Sequence, residues 1–388
     1  MTEIIKFIKT NVPSLKLPKE KLSQVSKILI GKIVNQIELA VNSWKLNQTY
    51  TERILSPKDD FKGPDFDYIV EEVKHELNSI HKLIGKRCSF IIGSRTITIN
   101  IIYPHSYKQS FIDSAIRKIY VWLFAANHFA DPECSPNITI YWYLTKHKKV
   151  LPEEDKVIDR VHVNTAFTMA CPTRPNTIYI FREEEWFKVL IHESFHSLGI
   201  DFSKLPEETV NDAMFSIFPV KCDLRFSEAY TECWAEIIHV LFICLREYSC
   251  KESIIDIDKL TRAIEKKMDN ERIFSMFQLA KLLKHNKTTY LSLFSKNPYK
   301  EASNVFSYYV LKSIFIFFYN DFIEWTSQNN NGSITFKKTE TNILSLVGLI
   351  KSRCRNPDFL KTIDILEKGI QHLQKSTVME TMRMSINE

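Results

Sequence analysis

Glycine is scarce in this sequence. The chain has 8 glycines among 388 residues, which is about 2%, whereas average proteins have about 7%. The phosphate-binding loops of dinucleotide-binding folds and the blades of β-propellers depend on glycine at fixed positions. The composition therefore argues against a nucleotide-binding α/β enzyme and against a propeller.

Paired cysteines, a secretion signal and long apolar runs are also missing. The 8 cysteines include no Cys-x-x-Cys pair, which excludes a zinc ribbon built on such pairs. Residues 1–6 contain only a very short apolar run, so we expect a reduced, intracellular (cytoplasmic) protein. The most apolar stretches, Ile237–Leu245 and Ser313–Tyr319, fall well short of the ~18 residues that a membrane span needs. No membrane span is predicted.

The charge shows no strong excess of one sign. Lysine and arginine number 52 against 46 acidic residues, and the formal net charge is +6. The densest basic stretch, Lys146–Lys149, is short and precedes a proline, which is typical of a solvated loop. A nucleic-acid partner is therefore not predicted, because no basic run offers a surface that could follow a phosphate backbone.

The order of the local patterns predicts an α+β fold with a small mixed or antiparallel sheet. We expect a helical N-terminal segment over residues 1–85, a catalytic core over 86–250 and a helical subdomain over 251–388. Runs rich in β-branched residues predict strands over Cys88–Ile92, Thr96–Tyr103, Asn137–Thr145, Val161–Met169 and Thr177–Phe181, with a hairpin turn at Gly93. Apolar residues at steps of three and four predict helices over Lys19–Leu46, Asp67–Ile84, Tyr107–Ala130, Glu183–Leu198, Phe226–Tyr248, Asp256–Met268, Glu301–Thr326, Thr339–Arg355 and Phe359–Lys375.

One predicted helix carries a metal-binding pattern, Leu-Ile-His-Glu-Ser-Phe-His-Ser-Leu-Gly. His192 and His196 are four residues apart, so both imidazoles project from one face of a helix and can bind the same ion. Glu193 lies about 100° around the helix, beside the open coordination position. There it can accept a proton from a water whose pKa zinc lowers towards ~7. The pattern predicts one Zn²⁺ per chain, and Gly199 suits the end of the helix.

A third ligand is expected from the next strongly apolar helix. Glu228 and Glu232 are four residues apart, and 31 residues (197 to 227) separate His196 from Glu228. A ligand at Glu228 and an acid at Glu232 that holds a histidine would complete a zinc site. Asp201, Glu232 itself and Cys171 remain alternative ligands, whereas Phe202, which occupies the third-ligand position of the metzincin spacing, cannot bind metal.

These segments resemble the gluzincins, the thermolysin-like metallopeptidases. Ser-Glu-Ala-Tyr-Thr-Glu at 227–232 is similar to their Asn-Glu-x-x-Ser-Asp segment, in which the Glu binds zinc and the Asp supports a histidine. Residues 135–245 also resemble uncharacterised predicted metallopeptidases of large nucleocytoplasmic DNA viruses of the mimivirus type. The resemblance implies a zincin-like core and an edge strand that pairs with the extended substrate, a role that Asn164, Thr165, Ala166 and Phe167 match by position and type.

A peptidase of this kind also needs a donor for the oxyanion that forms opposite the general base. The resemblance points to a Tyr or His in the distal half of the chain, where Tyr308, Tyr309, His239 and His285 are the candidates. An aromatic or histidine in an apolar helix is also compatible with a purely packed core residue.

The sequence therefore predicts a zinc metallopeptidase that hydrolyses a polypeptide substrate, with viral or host proteins as substrates if the viral resemblance holds. Two other functions remain open. The first is a binding or virion structural protein on a peptidase-derived scaffold, with the metal kept for folding. The second is a zinc hydrolase that acts on a non-peptide amide.

Overall fold

A computed structural model describes residues 3–46, 50–55, 61–79, 83–206, 208–249 and 256–387. Cys250 and the boundary expected between residues 250 and 251 lie outside the described residues. The strands are β1 (Thr51–Leu55), β2 (Leu83–Ile92), β3 (Arg95–Pro104), β4 (Asn137–Tyr143), β5 (Ala166–Thr168) and β6 (Asn176–Ile180). The α-helices are α1 (Glu3–Asn11), α2 (Gln24–Leu46), α3 (Glu71–Ser79), α4 (Gln109–Asn127), α5 (Arg160–Val163), α6 (Trp186–Ser197), α7 (Glu208–Ile217), α8 (Phe226–Ser249), α9 (Ile257–His285), α10 (Lys312–Phe317), α11 (Tyr319–Asn329), α12 (Glu340–Arg353), α13 (Pro357–Ile370) and α14 (Thr377–Glu380).

The chain forms two compact units, each made of separate stretches. Unit 1 contains residues 1–29, 149–163 and 205–388, and unit 2 contains residues 30–148 and 164–204. This division differs from the three consecutive segments expected from the sequence. The reason lies partly in the first residues, where Leu22 N donates to Glu265 Oε1 at 3.0 Å and Ser23 N donates to Asn320 Oδ1 at 2.8 Å. These long-range bonds join the start of the chain to helices that come more than 240 residues later.

A six-stranded mixed sheet in the order β1-β2-β3-β4-β6-β5 is the centre of unit 2. The strands β1, β2 and β3 are antiparallel, β3, β4 and β6 are parallel, and β5 is antiparallel to β6. The expectation of a mixed sheet in an α and β fold is therefore confirmed. The hairpin between β2 and β3 is also confirmed, and Gly93 has the positive φ of +59° that its turn requires.

The strands differ from the sequence-based predictions in three places. β1 lies in the segment expected to be helical, and β2 begins at Leu83, where the helix Asp67–Ile84 was expected to continue. The predicted strand Val161–Met169 is instead the short helix α5 followed by the three-residue β5. β1 pairs only with β2 among the described strands, and four of its five residues are exposed. A solvent-facing edge strand lacks the alternation of apolar residues from which strands are predicted.

Helices follow one another through unit 1, which confirms the helical second half. Other helices of unit 1 were missed or predicted too short, since α7 and α14 had no predicted counterpart and α9 continues to His285 rather than ending near Met268. The predicted helix Glu301–Thr326 is broken into a π-helical segment, Phe306–Leu311, and then α10 and α11, with an interruption at Phe318 (φ −110°, ψ 49°). Among the described helices, none has the length and apolar character that crossing a membrane requires.

Candidate metal centre

The predicted metal-binding motif lies on α6, which packs against β5 and β6 in unit 2. Five residues separate the end of β6 from the start of α6, and the residues of α6 from Phe187 to Ser197 are all buried. Apolar residues such as Leu190 and Ile191 account for most of this burial. His192, Glu193 and His196 are polar yet only 6 to 7% exposed. Buried polar side chains are costly unless they are paired or bind a metal, so this part of α6 has the character of a functional site.

The two histidines face each other. The Nε2 atoms of His192 and His196 are 3.0 Å apart, and the ring centroids are 4.8 Å apart. The four-residue spacing on a regular helix produces this arrangement. The ring nitrogens that would bind a metal therefore already converge.

Asp201 fixes the orientation of His196. Its Oδ2 atom lies 2.5 Å from His196 Nδ1, and its Oδ1 atom accepts a hydrogen bond of 2.9 Å from Ser203 Oγ. Burial alone would raise the pKa of Asp201, but the charge of His196 and the hydrogen bonds from His196 and Ser203 outweigh it and lower that pKa. An ionised Asp201 keeps the proton of His196 on Nδ1, which leaves the Nε2 lone pair for a metal.

The contact with His196 makes Asp201 an orienting residue rather than a metal ligand, the role that the sequence left open. Asp201 was an alternative ligand, whereas its carboxylate is directed at the far nitrogen of His196. Gly199, with φ of +64°, turns the chain at the end of α6 and so returns Asp201 to the helix. The sequence signal that could have indicated this orienting role is an acid two residues beyond the glycine that ends the helix.

Neutral hydrogen bonds hold the last turns of α6. Trp122 Nε1 donates to Ser194 Oγ at 2.8 Å, and Ser135 Oγ donates to the Ser197 carbonyl at 2.7 Å. Asn176 Nδ2 donates to Ser197 Oγ at 2.9 Å. All these side chains are short or rigid and lose little entropy when they are fixed. His192 and His196 therefore project from a well-supported helix.

A disulfide lies at the same end of α6. Cys134 and Cys171 are joined, so the expectation of fully reduced cysteines is wrong for this pair. Cys171 N donates to the carbonyl of His196 at 2.8 Å. The thiolate is the form of cysteine that binds metals, so Cys171 in this state is not a third ligand. Asp131, Cys134 and Cys171 also lie close together, with candidate ligand atoms within 4.8 Å of one another. Because both cysteines are in the disulfide, this group does not bind a metal through thiolates in this state.

The other predicted ligand, Glu228, is in unit 1, on the first turn of α8. Tyr308 Oη donates to Glu228 Oε2 at 3.0 Å. Tyr308 comes from the π-helical segment, whose neighbouring residue Ser307 donates through Oγ to the Arg225 carbonyl at 2.7 Å, just before α8 begins. The phenol of Tyr308 is thereby fixed beside this carboxylate.

The other candidates in unit 1 occupy different places. Glu232 is buried one turn along α8 from Glu228, and His239 is buried two turns farther on. Tyr309, next to Tyr308, points elsewhere, since its hydroxyl donates to the Met382 carbonyl at 2.5 Å. His285 is the last residue of α9, and its Nε2 lies 2.8 Å from the Lys156 carbonyl. Tyr309 and His285 are therefore engaged by main-chain carbonyls, and Tyr308 is the donor candidate that contacts a predicted ligand.

The predicted substrate segment lies at one edge of the sheet in unit 2. Ala166 and Phe167 belong to β5, the last strand in the sheet order, whereas Asn164 and Thr165 precede it. The Thr165 carbonyl accepts a hydrogen bond of 2.9 Å from Phe181 N, and the ring of Phe167 stacks on that of Tyr179 at 4.8 Å. The segment is therefore anchored on one side by β6 and forms an edge of the described sheet.

Comparison of the chain with protein-family models, with curated proteins and with solved structures finds no match.

Proposed function

We propose that this chain is a zinc-dependent metallopeptidase with a zincin-like catalytic core. The observation that carries the proposal is the convergence of His192 and His196 through their Nε2 atoms, 3.0 Å apart, on a buried helix that follows a sheet strand. Glu193 lies between them in sequence and is equally buried. A histidine pair, a neighbouring acid and an orienting carboxylate together form the constellation that hydrolytic zinc sites use.

The donor set suits zinc. Two nitrogens at about 2.0–2.1 Å from a tetrahedral ion are separated by about 3.3 Å, close to the 3.0 Å between the two Nε2 atoms. The contact of Asp201 with His196 Nδ1 favours the tautomer that a metal needs. Neutral imidazole and carboxylate are both ordinary zinc ligands.

Glu228 is proposed as the third ligand, on the basis of the sequence segment that resembles the gluzincins. Its hydrogen bond from Tyr308 Oη supports this role, because a carboxylate held by a phenol through one oxygen keeps the second oxygen for a cation. Glu232 is proposed to orient a histidine ligand.

The chemistry follows from these positions. When bound, zinc would polarise the scissile carbonyl and make a water molecule more acidic. Glu193 would accept the proton of the attacking water and pass it to the leaving amine. The single hydroxyl hydrogen of Tyr308 is donated to Glu228 Oε2 in this structure, so Tyr308 would have to turn this hydrogen away from Glu228 to donate to the oxygen that becomes negative during the attack. The edge strand β5 would align an extended peptide through main-chain hydrogen bonds.

The substrate class proposed is a polypeptide that binds in an extended conformation. An edge strand recognises main chain rather than particular side chains, which suits a peptide better than a small amide. The viral resemblance of residues 135–245 leads us to propose viral or host proteins of an infected cell as substrates.

A matched pair of proteins tests the proposal. We expect purified wild type and Glu193→Gln to bind one zinc per chain by mass spectrometry of the metal, because Glu193 is not a ligand. We expect new protein termini in cells that express wild type, and a cleavage rate lower by about 10²–10⁴-fold for Glu193→Gln. Zinc without any difference in termini would identify a structural metal, and cleavage of small amides alone would identify a different hydrolase. Absence of zinc would refute the proposal.

The ligand assignment has its own test. Glu228→Ala should lose zinc at concentrations at which Glu232→Ala and Asp201→Asn still bind it. The latter two should weaken zinc binding by about 10- to 100-fold, as loss of an orienting partner does. Equal loss of zinc in Glu228→Ala and Glu232→Ala would show that the roles of these two acids are assigned incorrectly.

A further inference from the structure

Residues 381–387 lie in the interior of unit 1 as a non-helical segment, with a β-bridge at Thr381 and bends at Met384 and Ile386. Met382, Met384 and Ile386, which are apolar residues at alternate positions, are only 1 to 4% exposed, and Ser385 between them is fully buried. The segment also pairs with residues 149–151, because Leu151 N donates to the Glu380 carbonyl at 2.7 Å and Met382 N donates to the Lys149 carbonyl at 2.9 Å. We name residues 381–387 the inserted segment.

Side chains of α9 and of the Tyr309–Lys312 stretch bind the main chain of the inserted segment. Four of its carbonyls accept hydrogen bonds from these buried side chains. The bonds are Gln278 Nε2 to Thr381 O (3.1 Å) and to Arg383 O (2.5 Å), Lys281 Nζ to Thr381 O (2.5 Å), Tyr309 Oη to Met382 O (2.5 Å) and Lys312 Nζ to Met384 O (3.0 Å). We name the binding side chains Glu271, Gln278, Lys281, Tyr309 and Lys312 the α9 groove.

Glu271 binds the far end of the inserted segment. Its carboxylate accepts hydrogen bonds from Ser385 Oγ at 2.7 Å, Ile386 N at 3.0 Å and Asn387 Nδ2 at 2.5 Å. Glu271 is fully buried, so these bonds form away from water, where they are strong. Hydrogen bonds to a carboxylate from a peptide nitrogen and from two flanking side chains also define the register of the segment.

The residues that connect α13 to α14, ahead of the inserted segment, are more exposed than the segment itself. Between α13 and α14, residues 371–375 are exposed or half-buried. A peptide bound through main-chain hydrogen bonds and alternate apolar side chains, on an exposed tether, has the features of a strand-type peptide ligand.

We propose that the α9 groove is a binding site for an extended polypeptide and that the inserted segment is its exchangeable resident ligand. The bound peptide is defined by apolar side chains at alternate positions and by a Ser-x-Asn pair that reaches Glu271. The groove also lies on the helical stretch that carries Tyr308. Tyr309 binds the inserted segment and Tyr308 binds Glu228, so occupancy of the groove orders the π-helical segment.

The test uses the full chain with a protease recognition sequence placed between Gln374 and Lys375, which are both exposed. After cleavage, we expect the fragment 375–388 to stay bound in gel filtration. A fluorescent synthetic peptide of residues 375–388 should then replace it, as measured by anisotropy. Hydrogen exchange of the amides of 306–312 should rise when prolonged dialysis of the cleaved protein empties the groove and fall when the peptide is added back.

Two controls make the result specific. The Ser385→Ala, Asn387→Ala peptide should bind about 10- to 100-fold more weakly, because it loses two hydrogen bonds to a carboxylate. A peptide of the same composition in reversed order should not bind. Equal binding of the reversed peptide, failure of the native peptide to bind the cleaved and folded protein, or unfolding of unit 1 upon cleavage would each overturn the proposal. Neither readout involves zinc or catalysis, so the result is independent of the proposed peptidase function.

Discussion

The helix that carries His192 and His196 and the helical stretch that carries Tyr308 are supported by different kinds of interaction. At the end of α6, the hydrogen bonds at Ser197 are made by neutral groups such as Asn176, in addition to the contact of His196 with Asp201. The stretch after Tyr308 depends on buried charge, because Lys312 Nζ lies 2.9 Å from Glu236 Oε2 and both side chains are fully buried. Neutral dipoles hold a helix equally well at any moderate pH, whereas buried ionisable groups make stability depend on the balance of charge. The neutral hydrogen bonds of Asn176 and the buried ion pair of Lys312 should therefore respond differently to mutation and to pH.

The charge cluster of unit 1 should give the largest effect. Burial raises the pKa of Glu236 well above its usual range, against the opposing charge of Lys312, and neighbouring Glu271 raises it further. We expect Lys312→Met to lower the free energy of unfolding by about 3–5 kcal/mol, because the buried Glu236 carboxyl group loses its cation and the Met384 carbonyl loses its donor. Urea unfolding near neutral pH measures this loss.

The control for this change is Lys368→Met. Lys368 pairs with Asp364 one turn away on α13, and both side chains are more than half exposed. Its removal should cost less than about 0.5 kcal/mol. Similar losses for the two lysine variants would show that buried charge is not what holds this part of unit 1.

The same contrast explains which parts of the structure could be predicted. α6 was predicted as Glu183–Leu198 and is observed as Trp186–Ser197, because its motif and its terminal Gly199 are local signals. The stretch Glu301–Thr326 contains no glycine or proline, so its pattern predicted one helix. Its actual course depends on distant contacts, such as the bond from Ser307 Oγ to the Arg225 carbonyl. Local periodicity does not contain that information.

In the candidate site, too, the features set by local sequence could be predicted and those set by distant contacts could not. The histidine pair follows from a four-residue spacing, which is local. The contact of Tyr308 with Glu228 joins residues 80 positions apart, and sequence alone offered Tyr308 and Tyr309 equally. The inserted segment was not predicted, because its short alternating pattern at 382–386 is meaningful only beside the side chains that bind it.

The disulfide should give the second largest effect, this time in unit 2. Cys134 and Cys171 are 37 residues apart in sequence, and closing a loop of that size stabilises a fold by about 2–4 kcal/mol. We expect a thiol reductant to lower the free energy of unfolding of wild type by that amount. The Cys134→Ala, Cys171→Ala variant should start at the lower value and be insensitive to the reductant. A reductant effect of equal size in both proteins would place its origin at other cysteines.

Asn176 tests the neutral support of α6. Its Nδ2 is within 3.2 Å of four acceptors, which are Ser135 Oγ, Thr168 Oγ1, Met169 O and Ser197 Oγ. Asn176→Ala leaves buried acceptors without their donor and should cost about 1–3 kcal/mol. The cost should be the same at about pH 5 and about pH 8, since no ionisable group is removed. Asn137→Ala, at an exposed position of β4, is the control with little expected loss. A strong change of the Asn176→Ala cost with pH would contradict the neutral-support interpretation.

Glu301 should give the smallest effect but the clearest dependence on pH. Burial raises the pKa of Glu301 to about 8, although hydrogen bonds from Tyr299 and from the amide of Phe306 oppose the rise. Between about pH 4.5 and pH 8 the unfolded chain is ionised at this residue while the folded chain keeps the proton, so stability falls as the pH rises through this window. Glu301→Gln imitates the protonated acid and removes that dependence. Relative to wild type, the variant should therefore gain about 1–2 kcal/mol between about pH 6.5 and about pH 8. Because Glu301 Oε2 accepts from Phe306 N at 2.6 Å, where the π-helical segment begins, hydrogen exchange at 306–312 should show the same trend. If the difference between Glu301→Gln and wild type stayed constant across this range, ionisable groups would not distinguish the support of Tyr308 from that of α6.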